Sequence, residues 1–174
     1  MTRAGWLLGA AVPVLIVGIQ AFVPPTPRLL WNATASTPVG LYALHPVRGL
    51  NVGDLVAVLP PESVARFLAD GGYLPRGVPL LKHVAALARQ TVCRSGFVVT
   101  IDGTVVGVAH ERDSRGRALP SWRGCRAIVS GEVFLMNPLP DSLDGRYFGP
   151  LPMVSVLGRA TPLFLLPTHS GGPS

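Results

Sequence analysis

The chain has 174 residues, enough for one domain with a real core, yet 48% are hydrophobic and only 14% charged, so part of the apolarity belongs to something other than that core. Twenty glycines and eighteen prolines exclude a plain helical bundle and favour short strands joined by turns. The net charge of +6 raises nucleic acid as a partner, but the arginines are scattered and no aromatic stacking motif accompanies them, so we exclude it in favour of a basic domain beside anionic headgroups.

Residues Gly5 to Val23 (GWLLGAAVPVLIVGIQAFV) form an apolar run in which Gln20 is the strongly polar member. At the rise of a helix this run spans roughly 28 Å, about one hydrocarbon thickness. Pro13 is compatible with a transmembrane helix. The expectation is an N-terminal membrane anchor over residues 1–23, followed by one further domain over 24–167 and a disordered tail over 168–174. Arg3 and Arg28 flank the run one on each side, so charge bias does not set its orientation. A cleaved signal peptide is the alternative, since Ala33-Thr34-Ala35 has the form of a cleavage site. That site stands some distance beyond the apolar run and past several prolines, which favours an uncleaved anchor.

The next informative segment is Asn32 to Tyr42 (NATASTPVGLY). Ser36 sits among small residues just before Pro38 and Gly40. A nucleophilic serine needs an exposed hydroxyl on a sharply turned backbone, and this segment supplies both. Taken alone it also reads as an ordinary Ser/Thr/Pro loop. Asp54 to Leu59 then reads as a buried strand, and Glu62 to Asp70 as a short helix ended by Gly71-Gly72.

Pro79 to Leu87 (PLLKHVAAL) reads as a strand carrying Lys82, which shares a face with Leu80 and Val84, while Leu81 and His83 point the other way. Among fourteen arginines, Lys82 is the single lysine of the chain. A GC-rich genome accounts for the arginines but not for one lysine kept inside an apolar stretch. Arginine stays protonated, whereas a buried lysine loses its proton near neutral pH. Lys82 is therefore a candidate general base for Ser36; a strand-edge lysine pointing to solvent is the plainer reading.

Phe97 to Ile101 and Thr104 to Ala109 flank Asp102-Gly103, a strong hairpin signal. Cys93 and Cys125 lack metal-site spacing and are open to two readings, a disulfide in an oxidising compartment or two separate buried thiols. Arg112 to Arg117 is a polar loop, and Val133 to Met136 and Val154 to Leu157 read as strands. In Asp141 to Pro150 (DSLDGRYFGP) an extended backbone sets Ser142, Asp144 and Arg146 on one side, where a hydroxyl could bond the lysine amine and an Asp–Arg pair could brace it. The plainer reading is a Gly-rich surface turn.

These segments, in this order and behind an N-terminal anchor, resemble the S26 signal peptidase family. The wording Ser36-Thr37-Pro38-Val39-Gly40-Leu41-Tyr42, with PLLKHVAAL, GCRAI, GEVFLMN and DGRYFGPLP, is similar to its TraF-type conjugative-transfer branch. The resemblance covers roughly residues 5 to 166. It implies a mainly β fold, a coiled antiparallel domain on the membrane surface with one N-terminal transmembrane helix. It implies Ser36 as nucleophile and Lys82 as general base. The oxyanion hole would be the Ser36 N–H with the Thr34 hydroxyl, Ser142 would orient Lys82, and Asp144 and Arg146 would support that region. No metal or cofactor is implied. The partners are the lipid bilayer and a membrane-tethered protein substrate, a signal peptide or a pilin precursor, with no nucleic acid. The implied location is a bacterial inner membrane, single-pass, with the catalytic domain extracytoplasmic. Three rivals stand beside this reading, one of them a Ser/Lys self-cleaving repressor, against which the apolar N-terminal segment argues. A Ser-His-Asp triad would draw on His45, His83 or His110, but no G-x-S-x-G elbow is present. A non-catalytic membrane-anchored β-module of a conjugation apparatus is the third.

Overall fold

A computed structural model describes residues 28–167 of the protein; the expected anchor and tail lie outside the described residues. The chain forms β1 (Leu29–Asn32), β2 (Gly40–His45), β3 (Leu55–Val58), α1 (Glu62–Asp70), β4 (Leu80–Ala86), β5 (Thr91–Ser95), β6 (Val98–Ile101) and β7 (Thr104–Val108). It continues through β8 (Gly124–Ala127), β9 (Glu132–Met136), α2 (Gly145–Phe148), β10 (Leu151–Pro152) and β11 (Val156–Leu165). The fold is mainly β, and every strand pairing is antiparallel. Among the described residues no helix is long and apolar enough to cross a membrane.

Two sheets carry the strands. The larger has the order β1-β2-β11-β3-β4-β9-β10, and the smaller β7-β6-β5-β8. In the larger sheet β3, β4 and β9 are interior strands, and their burial runs on both faces, as near-continuous apolar sequences require. One face packs Val56, Val58, Val84, Val133, Leu135 and Leu151 together, with Val64 of α1 against them. The other face joins Tyr42, Leu44, Ala57, Leu81 and Ala160. A third cluster, including Ala86, Val92, Val99, Ile128, Phe134 and Met136, packs the smaller sheet on the larger.

Local sequence explains several boundaries. Asp102 and Gly103 both take positive φ, 49° and 82°, the conformation a two-residue hairpin needs between β6 and β7. α1 ends where Gly71 N–H returns to Phe67 O at 3.0 Å. Cys93 and Cys125 stand opposite each other in the β5–β8 ladder and are joined as a disulfide. Close approach dictates glycine at the head of β2: a Cβ on Gly40 would lie 2.1 Å from the carbonyl oxygen of Phe164.

Two local expectations are corrected. The expected strand at Val154 to Leu157 is instead a 3-10 turn over Met153–Ser155, with β11 starting at Val156. Leu59 N–H bonds Ser155 O across this turn, and Val154 is exposed, so no alternation is imposed there. The expected extended run through Ser142, Asp144 and Arg146 is also absent. Asp144 caps α2 by accepting the Arg146 N–H, which converts the run into a turn and one helical turn. The two residues are drawn together by the cap rather than by strand alternation.

Candidate active site

Lys82 lies in the middle of β4, opposite Val56 of β3. On its other side β4 pairs with β9 as His83↔Met136 and Val84↔Leu135, so continuing the register by one residue sets Asn137 opposite Lys82. The lysine is only 3% exposed. Burial among apolar strands lowers its pKa from 10.5 to about 8; Asp144 opposes that shift and Arg146 adds to it. Nζ has a polar partner, donating to Ser142 Oγ at 2.6 Å.

Ser142 sits in the turn between β9 and α2. Its position is fixed by Arg146, whose Nη2 donates to the carbonyl oxygens of Asn137 (3.2 Å), Leu139 (2.6 Å) and Ser142 itself (3.3 Å). Arg146 is paired with Asp144 through Nε at 2.9 Å and Nη2 at 2.8 Å. The Asp144 carboxylate also accepts the Asn137 N–H at 3.0 Å and the Arg146 N–H at 3.1 Å. Both side chains are almost fully buried, and Nε and Nη2 of the guanidinium and both carboxylate oxygens have partners, which favours toleration of a buried ion pair. Gly145 permits this closure, since a Cβ there would lie 2.7 Å from Leu135 O. Arg94 of β5 holds the far side by donating to Arg146 O at 2.6 Å.

Ser36 and Thr34 lie on the loop between β1 and β2. Asn32, at the end of β1, organises this loop. Its Nδ2 donates to the carbonyls of Thr34 (2.9 Å), Thr37 (2.9 Å) and Pro38 (3.1 Å). Its Oδ1 accepts the Thr34 N–H at 3.1 Å and the Thr34 hydroxyl at 2.8 Å. Tyr42 OH donates to Pro38 O at 2.6 Å. A cavity of about 340 Å³ opens here, lined by Thr34, Ser36, Lys82 and Ser142 together with Leu68, Tyr73, Leu80, His110 and Tyr147 and the loop from Arg112 to Arg117. Ser36 is half-buried at its edge. The structure thus brings Ser36, Thr34, Lys82 and Ser142 to one cavity, with Asp144 and Arg146 buried behind it. Cys93 and Cys125 are not part of its lining.

His83 is turned to Asn137, with Nδ1 3.2 Å from Asn137 Oδ1. His45 contacts Thr161, and His110 lines the cavity 3.9 Å from Asp141. Sequence reasoning missed one well-connected side chain, that of Asn137. Asn137 Nδ2 donates to Ser36 O (3.0 Å), Thr37 Oγ1 (3.1 Å) and Leu81 O (3.0 Å), and Oδ1 accepts the His83 N–H at 3.2 Å. The available signal was an amide placed directly before Pro138 at the end of an apolar strand, where the ladder must stop and a side chain must take over its hydrogen bonds.

Comparison with known proteins places the chain among relatives. The chain is 36% identical to the conjugal transfer protein TraF of Agrobacterium fabrum, over 91% of this chain and 89% of that protein. It is 37% identical to a probable conjugal transfer protein TraF of Sinorhizobium fredii, over 74% of this chain and 73% of that protein. A crystal structure of a signal peptidase I from Enterococcus faecalis superposes with a TM-score of 0.40 at 18% identity, covering 67% of this chain and 100% of that one. The family described as "Signal peptidase, peptidase S26" matches residues 1–165. A match that runs through the Ser36 loop, the Lys82 strand and the Ser142 turn covers all the elements that build the cavity, and the chain belongs to the S26 signal peptidase family.

Proposed function

We propose that the protein is a membrane-bound serine endopeptidase in which Ser36 and Lys82 act as a dyad that cleaves signal or leader peptides. The observation that carries this reading is Lys82, a buried amine with a pKa near 8 that shares one cavity with Ser36. Neutral Lys82 takes the Ser36 hydroxyl proton as Oγ attacks the scissile carbonyl. The developing oxyanion is met by the Ser36 N–H and by the Thr34 hydroxyl, once the latter rotates away from Asn32. The Lys82 ammonium then protonates the departing amine, leaving an ester on Ser36. Water or a second amine resolves the ester, giving a hydrolysed or a joined product. Asp144 and Arg146 hold the turn that presents Ser142 to Nζ.

The relatives' names point to conjugal transfer, and we assign the substrate to that setting as a pilin precursor. The membrane reading draws on the apolar run that precedes β1 and on the exposed side chains Leu29 and Trp31 of β1 and Leu163, Phe164 and Leu165 of β11. Those strands flank β2 on either side, and exposed apolar side chains beside the Ser36 loop suit a bilayer. We assign the catalytic domain to the extracytoplasmic side. The test uses the full chain with a tethered precursor and a β-lactam acylating probe. Processing and probe labelling should both require Ser36 and Lys82, being lost in Ser36→Ala and Lys82→Met; a folded Ser36→Ala protein that still processes precursor overturns the reading.

A further inference from the structure

A proton can pass between Ser36 and Lys82 only if the two are held in register. Each comes from a different part of the chain: Ser36 from a loop after the edge strand β1, and Lys82 from an interior strand. β1 has no contact through its ladder with β4, because β2, β11 and β3 stand between them. Backbone pairing therefore does not fix the distance between the two groups.

Resting on the dyad reading, we propose that Asn137 is the positioning residue that sets Ser36 against Lys82. Its single amide reaches the Ser36 carbonyl on one side and, on the other, the Leu81 carbonyl and the His83 N–H, the two residues flanking Lys82. Its backbone N–H is held in turn by Asp144 Oδ2, and its carbonyl by Arg146 Nη2. One residue thus links the nucleophile loop, the strand of the base, and the ion pair that fixes Ser142. The chemistry requires an amide. Nδ2 has two hydrogens for three acceptors at 3.0–3.1 Å, so one is shared, and Oδ1 must accept at the same time. A carboxylate keeps the shape and the acceptor but turns the Ser36 and Leu81 carbonyls against a negative oxygen. An alanine keeps neither side. Asn137 touches no reacting atom in this arrangement; it acts through the backbone of Ser36 and of the Lys82 strand.

The experiment measures, in the full chain, the rate of Ser36 labelling by a β-lactam acylating probe as a function of pH, with each rate divided by the folded fraction from thermal melts. Asn137→Ala should label about ten- to a hundredfold more slowly per folded molecule, the cost of a misplacement on the order of 1 Å, with the pH of half-maximal labelling unchanged. Asn137→Asp should also label slowly, but its half-maximal pH should move upward, because the new carboxylate joins Asp144 in favouring the Lys82 ammonium. A merely structural role lowers the folded fraction and moves neither reading. If Asn137→Ala does not fold, the isosteric Asn137→Asp carries the test alone. Labelling of Asn137→Ala at the wild-type rate, or of Asn137→Asp at the wild-type rate and pH, overturns the positioning role. A wild-type protein that is not labelled at Ser36 overturns the dyad itself, so the two failures are distinct.

Discussion

Lys82 donates to Ser142 Oγ at 2.6 Å from within a sheet face whose neighbouring residues Val56 and Val84 are fully buried. A hydroxyl accepts from the amine in either protonation state and adds no charge, so it orients Nζ without restoring the basicity that burial removes. A carboxylate in the same place would raise the pKa of Lys82 and keep the proton on it. The support for the amine is thereby split: a neutral group touches the nitrogen, and the charged Asp144–Arg146 pair stands behind.

The first prediction joins activity to stability through this amine. Folded Lys82 has a pKa near 8 against 10.5 for the free side chain. Below about 8 the folded protein bears the full cost of a buried ammonium, a depression worth about 3 kcal/mol. Between about 8 and 10.5 the unfolded chain binds the extra proton, so this group makes stability rise with pH across that window. Acylation of Ser36 should rise with pH through about 8. Lys82→Met should abolish acylation and yet unfold at higher denaturant at pH 7, by about 1–2 kcal/mol once the stranded Ser142 hydroxyl is counted. That advantage should vanish near pH 10.5. Denaturant melts at the two pH values check it, and equal stability of the two proteins at pH 7 would falsify the burial argument.

A second prediction concerns Thr34, whose hydroxyl proton is directed at Asn32 Oδ1 at 2.8 Å. For Thr34 to serve the oxyanion, that bond must open as substrate arrives, while the Thr34 N–H keeps Asn32 Oδ1 satisfied at 3.1 Å. Thr34→Val should slow acylation by about a hundredfold, in the range for loss of an oxyanion donor, with KM little changed. Thr34→Ser should retain most of the rate. Equal rates for valine and threonine would show that the Ser36 N–H works without this hydroxyl.

The disulfide gives a third prediction, with the opposite signature. Cys93 and Cys125 are separated by 32 positions, and opening a loop of that length removes about 3–4 kcal/mol on the chain-entropy account. Replacing both with serine should lower the unfolding free energy by up to that amount. The labelling rate per folded molecule should stay unchanged, since neither residue lines the cavity. A fall in that rate at constant folded fraction would place the smaller sheet inside the catalytic arrangement.

Much of the architecture was legible because its signals are local. Glu62–Asp70 forms the expected helix, ended by Gly71-Gly72, and Asp102-Gly103 turns the expected hairpin. The strands through Lys82 and through Val133 to Met136 stand within a residue of where apolar runs set them. The unread strands are β1, β2, β5, β8 and β10; β1 and β8 lie at sheet edges with exposed side chains, and β10 has two residues. Their pairing partners, not their own sequences, decide them. At the site, Ser36, Lys82 and Ser142 draw notice through residue chemistry: a lone lysine in an apolar strand, a serine among small residues before Pro38, and a hydroxyl that could bond the amine. Asn137 does not, because its role lies in what it bonds across 101 positions to Ser36, and no spacing in the chain records that distance. The compaction of Asp144 and Arg146 into α2 was hidden for a related reason. Alternating polar residues fit a strand face and a capped helical turn equally well until the cap partner is known.

The last prediction concerns the outer wall of the cavity, the loop from Arg112 to Arg117. Asp113 pins this loop to the end of α1. It accepts the Tyr73 hydroxyl at 2.6 Å, Arg117 Nε at 2.7 Å, and the N–H groups of Arg115 and Arg117 at 2.9 and 2.8 Å. The Arg117 guanidinium lies 4.2 Å over the Tyr73 ring and also donates to Gly71 O. The Tyr73 hydrogen bond, followed by those from Arg117 and Arg115 and opposed by desolvation, holds the Asp113 carboxyl well below the usual range. With its folded pKa depressed, this latch is fully present above the ordinary carboxylate pKa and is lost only as pH falls through the depressed value. It is therefore constant over the whole range in which Lys82 titrates. Asp113→Ala should free the loop and raise KM for an extended peptide substrate severalfold. It should leave kcat, and the pH at which activity rises, where Lys82 sets them. Because the latch does not titrate there, the KM ratio of variant to wild type should be flat from about pH 6 to about pH 10. Steady-state kinetics across that range checks both points. A fall in kcat at unchanged KM would mean that the loop acts on Lys82 and Ser36 rather than on the walls that receive the peptide.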